Sequence, residues 1–86
     1  MSEQKIGTVT HYFGKIQVAA IQIDQGELRV GDTIHIKGHT SDVTVKVESM
    51  QIEHESVSSA AAGQAVGIKV PDHVRQQDEV FKVVGE

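Results

Sequence analysis

The stretch Leu28-Arg29-Val30-Gly31-Asp32-Thr33-Ile34-His35-Ile36-Lys37-Gly38 decides the fold class. Gly31 can take the positive φ that a tight turn demands, and the Asp32 carboxylate can hydrogen-bond nearby backbone, so the pair makes a turn without distant contacts. Thr33 to Lys37 then alternates. Ile34 and Ile36 share one face and Thr33, His35 and Lys37 the other, which is the two-residue period of a half-buried strand. Gly38 closes it.

The same grammar extends in both directions. Toward the N-terminus, Lys5 to Phe13 alternates with Val9 and Phe13 on one face and Ile6, Thr8 and Tyr12 on the other, and Gly14 breaks it. Lys15 to Ile23 follows. Ile16, Val18 and Ala20 are in phase there while Ile21 and Ile23 are in the opposite phase, which predicts a bulge or sharp bend near Ala19-Ala20. Asp24-Gln25-Gly26-Glu27 reads as a turn. Toward the C-terminus, His39-Thr40-Ser41-Asp42 is a polar loop, Val43, Val45 and Val47 alternate cleanly, and a second bend near Ser49 lets Met50 and Ile52 carry the apolar face. Residues 55–62 predict a single helical or irregular turn with Val57 and one alanine inward, too short for a stable helix. Gln64 to Val70 is a strand with Val66, Ile68 and Val70 inward and Gly67 opposite. Pro71-Asp72-His73 stops it, Val74 plugs one end, and Glu79 to Val84 is the closing strand.

Short strands punctuated by turns at Gly14, Gly26, Gly31, Asp32 and Gly38 give an all-β class. A small closed six-stranded Greek-key barrel is expected, because closure removes exposed edges. Residues 1–86 form one domain, too small for a second core, with residues 1–4 expected to be a disordered N-terminus. No internal repeat is evident.

Composition narrows the function classes. Formal net charge is −4 over 86 residues, so no global positive field attracts nucleic acid. With no cysteine, thiolate chemistry and disulfides are excluded. The Met1-Ser2-Glu3-Gln4 start lacks a signal-peptide pattern, and no run approaches the roughly 20 apolar residues of a membrane span, so a cytoplasmic protein with no membrane partner is expected.

Candidate chemistry is sparse. Of the five histidines, His11, His35, His39, His54 and His73, none shares a short cluster offering three metal ligands, and solvated surface histidines are expected instead of a metal site. No Gly-x-Ser-x-Gly turn presents a serine for attack, and the carboxylates at Glu48, Glu53, Glu55, Asp78 and Glu79 read as a solvated face. Enzymatic activity is not expected, nor is a cofactor. The best local case for nucleic acid is His11-Tyr12-Phe13-Gly14-Lys15, where a ring can stack on a base while Lys15 meets phosphate. Lys37 and His39 extend that patch if the two turns share one end of the barrel.

Gly7-Thr8-Val9, Leu28 to Ile34, Val47-Glu48-Ser49-Met50-Gln51 and Gly63-Gln64-Ala65-Val66-Gly67-Ile68 resemble, in that order, the second-domain β-barrel of translational GTPases such as elongation factor Tu. The segments His11-Tyr12-Phe13, Ile36 to Thr40 and Ser49 to His54 are similar to small free-standing translation-factor-like proteins. The barrel is also similar to one at the C-terminus of U32-type collagenase-like peptidases. The resemblance implies a non-catalytic binding module recognising tRNA, the ribosome or a ribonucleoprotein. His11, Tyr12, Lys15, Lys37, His39, Gly63, Gln64 and Gly67 are the expected contacts. The elongation-factor Gly-Glu-Asn-Val-Gly is here Gly63-Gln64-Ala65-Val66-Gly67, with an amide for the acid and alanine for the asparagine. No phosphate-cradling Gly-x-x-x-x-Gly-Lys-Ser/Thr loop is present, so no nucleotide is expected. The alternative reading is a protein-interaction module docking on an enzyme such as a U32-type peptidase; in either case the chain is expected to be a monomer.

Overall fold

The computed structural model describes residues 2–84. Ten short strands account for the secondary structure: β1 (Ser2–Phe13), β2 (Val18–Ile23), β3 (Glu27–Arg29), β4 (Thr33–Lys37), β5 (Asp42–Lys46), β6 (Met50–Ile52), β7 (Glu55–Val57), β8 (Ser59–Ala61), β9 (Ala65–Lys69) and β10 (Glu79–Val84). Among the described residues no helix forms. An eight-stranded antiparallel sheet runs β5-β4-β10-β1-β2-β9-β6-β7, and β3 and β8 pair as a separate ribbon. The fold is all-β as expected, but the ladders form these two separate sheets and do not close into the expected six-stranded barrel. Val47 beyond β5 exchanges backbone bonds with Gly31 and Asp32, and the Val30 N–H beside β3 donates to Ser58 at 3.0 Å.

Alternation supplies the core. Ile34 and Ile36 of β4, Ile21 and Ile23 of β2, and Val66 and Ile68 of β9 are all buried, as are Leu28 and Val74. Fully burying side chains of this size contributes about 1.5–3 kcal/mol each, which is how so slim an interior holds the sheet together.

The structure departs from the expected strand plan in four places. Residues 2–4 are not disordered: Ser2, Glu3 and Gln4 pair with Val84, Val83 and Lys82; Met1 lies outside the described residues. Residues 55–62 form β7 and β8 instead of a helical turn, because pairing with Met50–Ile52 and with Glu27–Arg29 satisfies backbone that one helical turn would leave open. The inward places of Val57 and Ala60 are as expected. The bulge falls on β1, not at Ala19-Ala20. Register shifts between Val9 and His11 opposite Ile21 and Ala20, leaving Thr10 as the extra residue. This insertion changes the phase of β1, so Tyr12 packs against the core and Phe13 stands 46% exposed, the reverse of the simple alternation. A second shift, between Lys5 and Gly7, buries both Ile6 and Val9.

The turn at Gly31 occurs twice. Leu28-Arg29-Val30-Gly31-Asp32 leads into β4, and Val74-Arg75-Gln76-Gln77-Asp78 leads into β10. Asp32 Oδ2 accepts from Arg29 N–H at 2.9 Å, and Asp78 Oδ2 accepts from Arg75 N–H at 2.9 Å. The expectation of no internal repeat misses this pair, because Gln77 stands where the first copy has glycine.

Candidate functional site

The bulge at Thr10 sets up the most distinctive surface. Beyond it, β1 delivers Phe13 to the outside and the turn at residues 14–17 carries Ile16 with 60% of its surface in solvent. Phe13 packs against His11 with ring centroids 4.5 Å apart and the ring planes tilted by 57°. The turn is anchored at its foot, where Gln17, at φ 57°, accepts the Val70 N–H through its carbonyl at 2.9 Å.

Behind this apolar tip lies a groove of about 310 Å³. Its floor is the outer face of β2, β9 and β6, where Ala20 pairs with Gly67 and Gly67 with Gln51. Ala20, Ala65 and Gly67 on this floor are small. A Cβ on Gly67 would press on Val18 Cγ1 at 3.2 Å, so the glycine lets Val18 lie close over β9. The far wall is the Glu53-His54 turn joining β6 to β7. Both residues sit at positive φ, 51° and 70°, the pattern of a type I′ hairpin turn that normally takes Asn-Gly. Backbone of that kind in residues with side chains costs of order 1–3 kcal/mol each and clusters at functional sites.

The expected contact residues do not converge. Tyr12 is half-buried and stacks on His73 at 4.6 Å; Lys15 sits at the hairpin tip with His11 and Ile16. Gly67 lies in the groove. Lys37 and His39 line a separate polar concavity with Gln76, Gln77 and Glu79, and Lys37 Nζ lies 5.8 Å over the Phe81 ring. Gly63 and Gln64 sit beyond the far end of β9 and serve the fold: Gly63, at φ 93°, donates to Ile23 O at 2.8 Å, and Gln64 Oε1 accepts from Ala61 N–H at 2.8 Å. Of the expected turn residues, Gly26 adopts φ 75° and Gly31 φ 103°. Gly38 is needed for another reason, since a Cβ there would overlap the Asp78 carboxylate.

Three functional candidates escape sequence reasoning. Phe13 is hidden by the phase change, Ile16 by its place in a turn, and His35 by distance. The His35 ring lies between Glu3 and Asp42, with Nδ1 2.6 Å from Glu3 Oε2 and Nε2 in contact with Asp42 Oδ1. Hydrogen bonding to Asp42, then to Glu3, raises its pKa above the usual 6.5. Among the described residues, no group of three or more His, Asp or Glu is arranged to hold a metal ion, and no helix is long and apolar enough to cross a membrane.

No protein-family profile matches the chain. A collagenase of Porphyromonas gingivalis is 37% identical over 78 residues, covering 90% of this chain and 22% of that protein. An uncharacterized protease of Methanocaldococcus jannaschii is 41% identical over 78 residues, covering 90% and 19%. The chain thus spans about a fifth of the length of the curated relatives it matches. Neither is a translation factor. Among solved structures, the C-terminal domain of a Geobacillus thermoleovorans protein assigned to the U32 peptidases superposes with a TM-score of 0.86 at 21% identity, covering 94% of this chain and 93% of that one. Its selenomethionine variant gives 0.83 over 90% and 96%. The chain is similar in sequence to a segment of two proteases and shares its fold with the C-terminal domain of a U32 peptidase.

Proposed function

We propose that this chain is a non-catalytic docking domain of the kind carried at the C-terminus of U32 peptidases, and that it binds a peptidase catalytic chain through the Phe13–Ile16 tip and the groove behind it. One observation carries the reading. Two large apolar side chains stand in solvent at the rim of a trough floored by alanine and glycine, an anchor-and-groove arrangement suited to protein contact. The protease relatives supply the partner class, since this unit accounts for about a fifth of each. In this reading the β3–β8 ribbon completes the sheet as a closed barrel, a rigid platform for the groove. The two carboxylates on His35 occupy both of its ring nitrogens, which gives that histidine a structural role in the domain we propose.

The RNA reading is weaker on this geometry, because Lys15 is separated from Lys37 and His39 and the net charge is negative. One titration separates the two. The isotopically labelled domain is titrated with the Porphyromonas gingivalis collagenase lacking its own matching segment, and separately with mixed tRNA. Amide shifts at Phe13 to Ala20, Gln51 to His54 and Ala65 to Gly67 are expected with the collagenase and persist in salt. Salt-sensitive shifts with tRNA alone would overturn the proposal, as would silence of the groove with the collagenase.

A further inference from the structure

His35 presents a valence problem. A neutral imidazole has one N–H donor and one lone pair, so it can satisfy one carboxylate but not two on opposite ring nitrogens. Glu3 and Asp42 nevertheless occupy both, and only the imidazolium donates to each. The ring is sheltered, with 16% of its surface exposed, while the Asp42 carboxylate is 79% exposed and Glu3 36%. The contacts cross the sheet: Asp42 comes from β5, and Glu3 reaches from β1 over β10, which lies between β1 and β4.

The Glu3 side is the one able to move. Ser2 to Lys5 pair with Val84 to Phe81 of β10, whereas pairing of β1 with β2 begins only at Gly7. This outer part of β1 is exposed throughout. Register places the other charged groups on the His35 face: Lys5 from β1, Glu79 from β10, Lys37 from β4 itself and Lys46 from β5. Lys5 pairs with Glu79 at 3.2 Å and Lys37 lies over Phe81, so Glu3 and Asp42 remain the partners of His35.

We propose that His35 is a proton-operated latch: charged, it ties the outer segment of β1 to the sheet through Glu3, and neutral, it loosens that segment, so that its pairing with the β10 edge at Phe81 to Val84 opens more often. The raised pKa of His35 puts the transition above 6.5, within reach of ordinary changes in pH.

Amide hydrogen exchange across pH tests the latch, with each rate corrected for its intrinsic pH dependence. Protection of residues 3–5 should fall by about two- to fivefold as His35 deprotonates, the scale of one exposed charge pair, while Val66 and Ile68 keep theirs. His35→Gln should flatten the profile. Glu3→Gln, a change at an exposed position, should lower the ring-carbon titration midpoint of His35 and give low protection at every pH. Equal behaviour of wild type and His35→Gln would overturn the proposal. So would a uniform loss of protection including Val66 and Ile68, or a His35 midpoint no higher than 6.5.

Discussion

Gly31 and Gln77 occupy the same position in two copies of one turn, at φ 103° and 77°. Each donates its N–H to a valine carbonyl, Gly31 to Val47 at 2.8 Å and Gln77 to Val9 at 2.7 Å. Each valine returns its own N–H to the aspartate that follows, Val47 to Asp32 O and Val9 to Asp78 O, both at 2.8 Å. The strands launched by the two turns, β4 and β10, then pair with each other. The repeat therefore lies in hydrogen bonding and not in residue identity.

The equivalence makes the two positions respond oppositely to substitution. Gln77→Gly should stabilise the domain by about 0.5–1 kcal/mol, as relief of the left-handed backbone outweighs the added freedom of the unfolded chain. Gly31→Gln should destabilise by about 1–2 kcal/mol even though open space surrounds it, because the cost lies in the backbone. Urea unfolding of the two variants measures both.

Gly38 and Asp78 form a second dependent pair. Gly38→Ala should cost about 1–3 kcal/mol by pushing the buried Asp78 carboxylate away from the Arg75 N–H it caps. Asp78→Ala should cost a similar amount by losing the cap itself. The double variant should cost less than the sum, since the alanine methyl then has no carboxylate to meet; a double-mutant cycle by thermal unfolding reads the difference.

Stability should fall from neutral toward alkaline pH. The folded-state pKa of His35 is raised, so its contribution is fully present below 6.5 and is lost as pH rises through the higher folded value. The thermal midpoint of the wild-type domain should therefore decline between about pH 6 and pH 9 by more than that of His35→Gln.

Phe13→Ser and Ile16→Ser should change folding stability by less than about 0.5 kcal/mol, because both side chains are solvent-exposed, yet each should weaken docking on the truncated collagenase. Gly67→Ala should weaken docking as well by filling the trough.

Replacing Glu53-His54 with Asn-Gly should raise stability by about 1 kcal/mol, since those residues accept the positive φ that the present pair adopts under strain. If the turn is held for recognition, the more stable variant should bind less well in the same titration.

Much of the strand plan was legible. The alternation at Ile34 and Ile36, and at Val66, Ile68 and Val70, placed these residues in the core, and the turns at Gly26 and Gly31 were readable from residue type. The groove was half legible. Val18 and Ala20 do share a phase opposed to Ile21 and Ile23, but this reflects a strand apolar on both faces, one for the core and one for the groove, not a bend; Ile16, expected in that strand, lies in the turn before it. The rest depended on pairing that sequence does not carry. An inserted Thr10 turned Phe13 outward, and the His35 cluster required β1 and β5 to be brought within reach across two intervening strands. The expected contact set dispersed for the same reason, since Gly63 and Gln64 belong to the fold and Lys37 to another concavity.

The ribbon of β3 and β8 is three residues deep on each strand, and beyond it one further backbone bond, Val30 N–H to Ser58 O at 3.0 Å, extends the pairing. This is a line of weakness in an otherwise long-laddered structure. Its opening would break far fewer bonds than separating β1 from β2 or β10, so the domain should breathe there first, freeing the ribbon strands before the larger sheet unfolds.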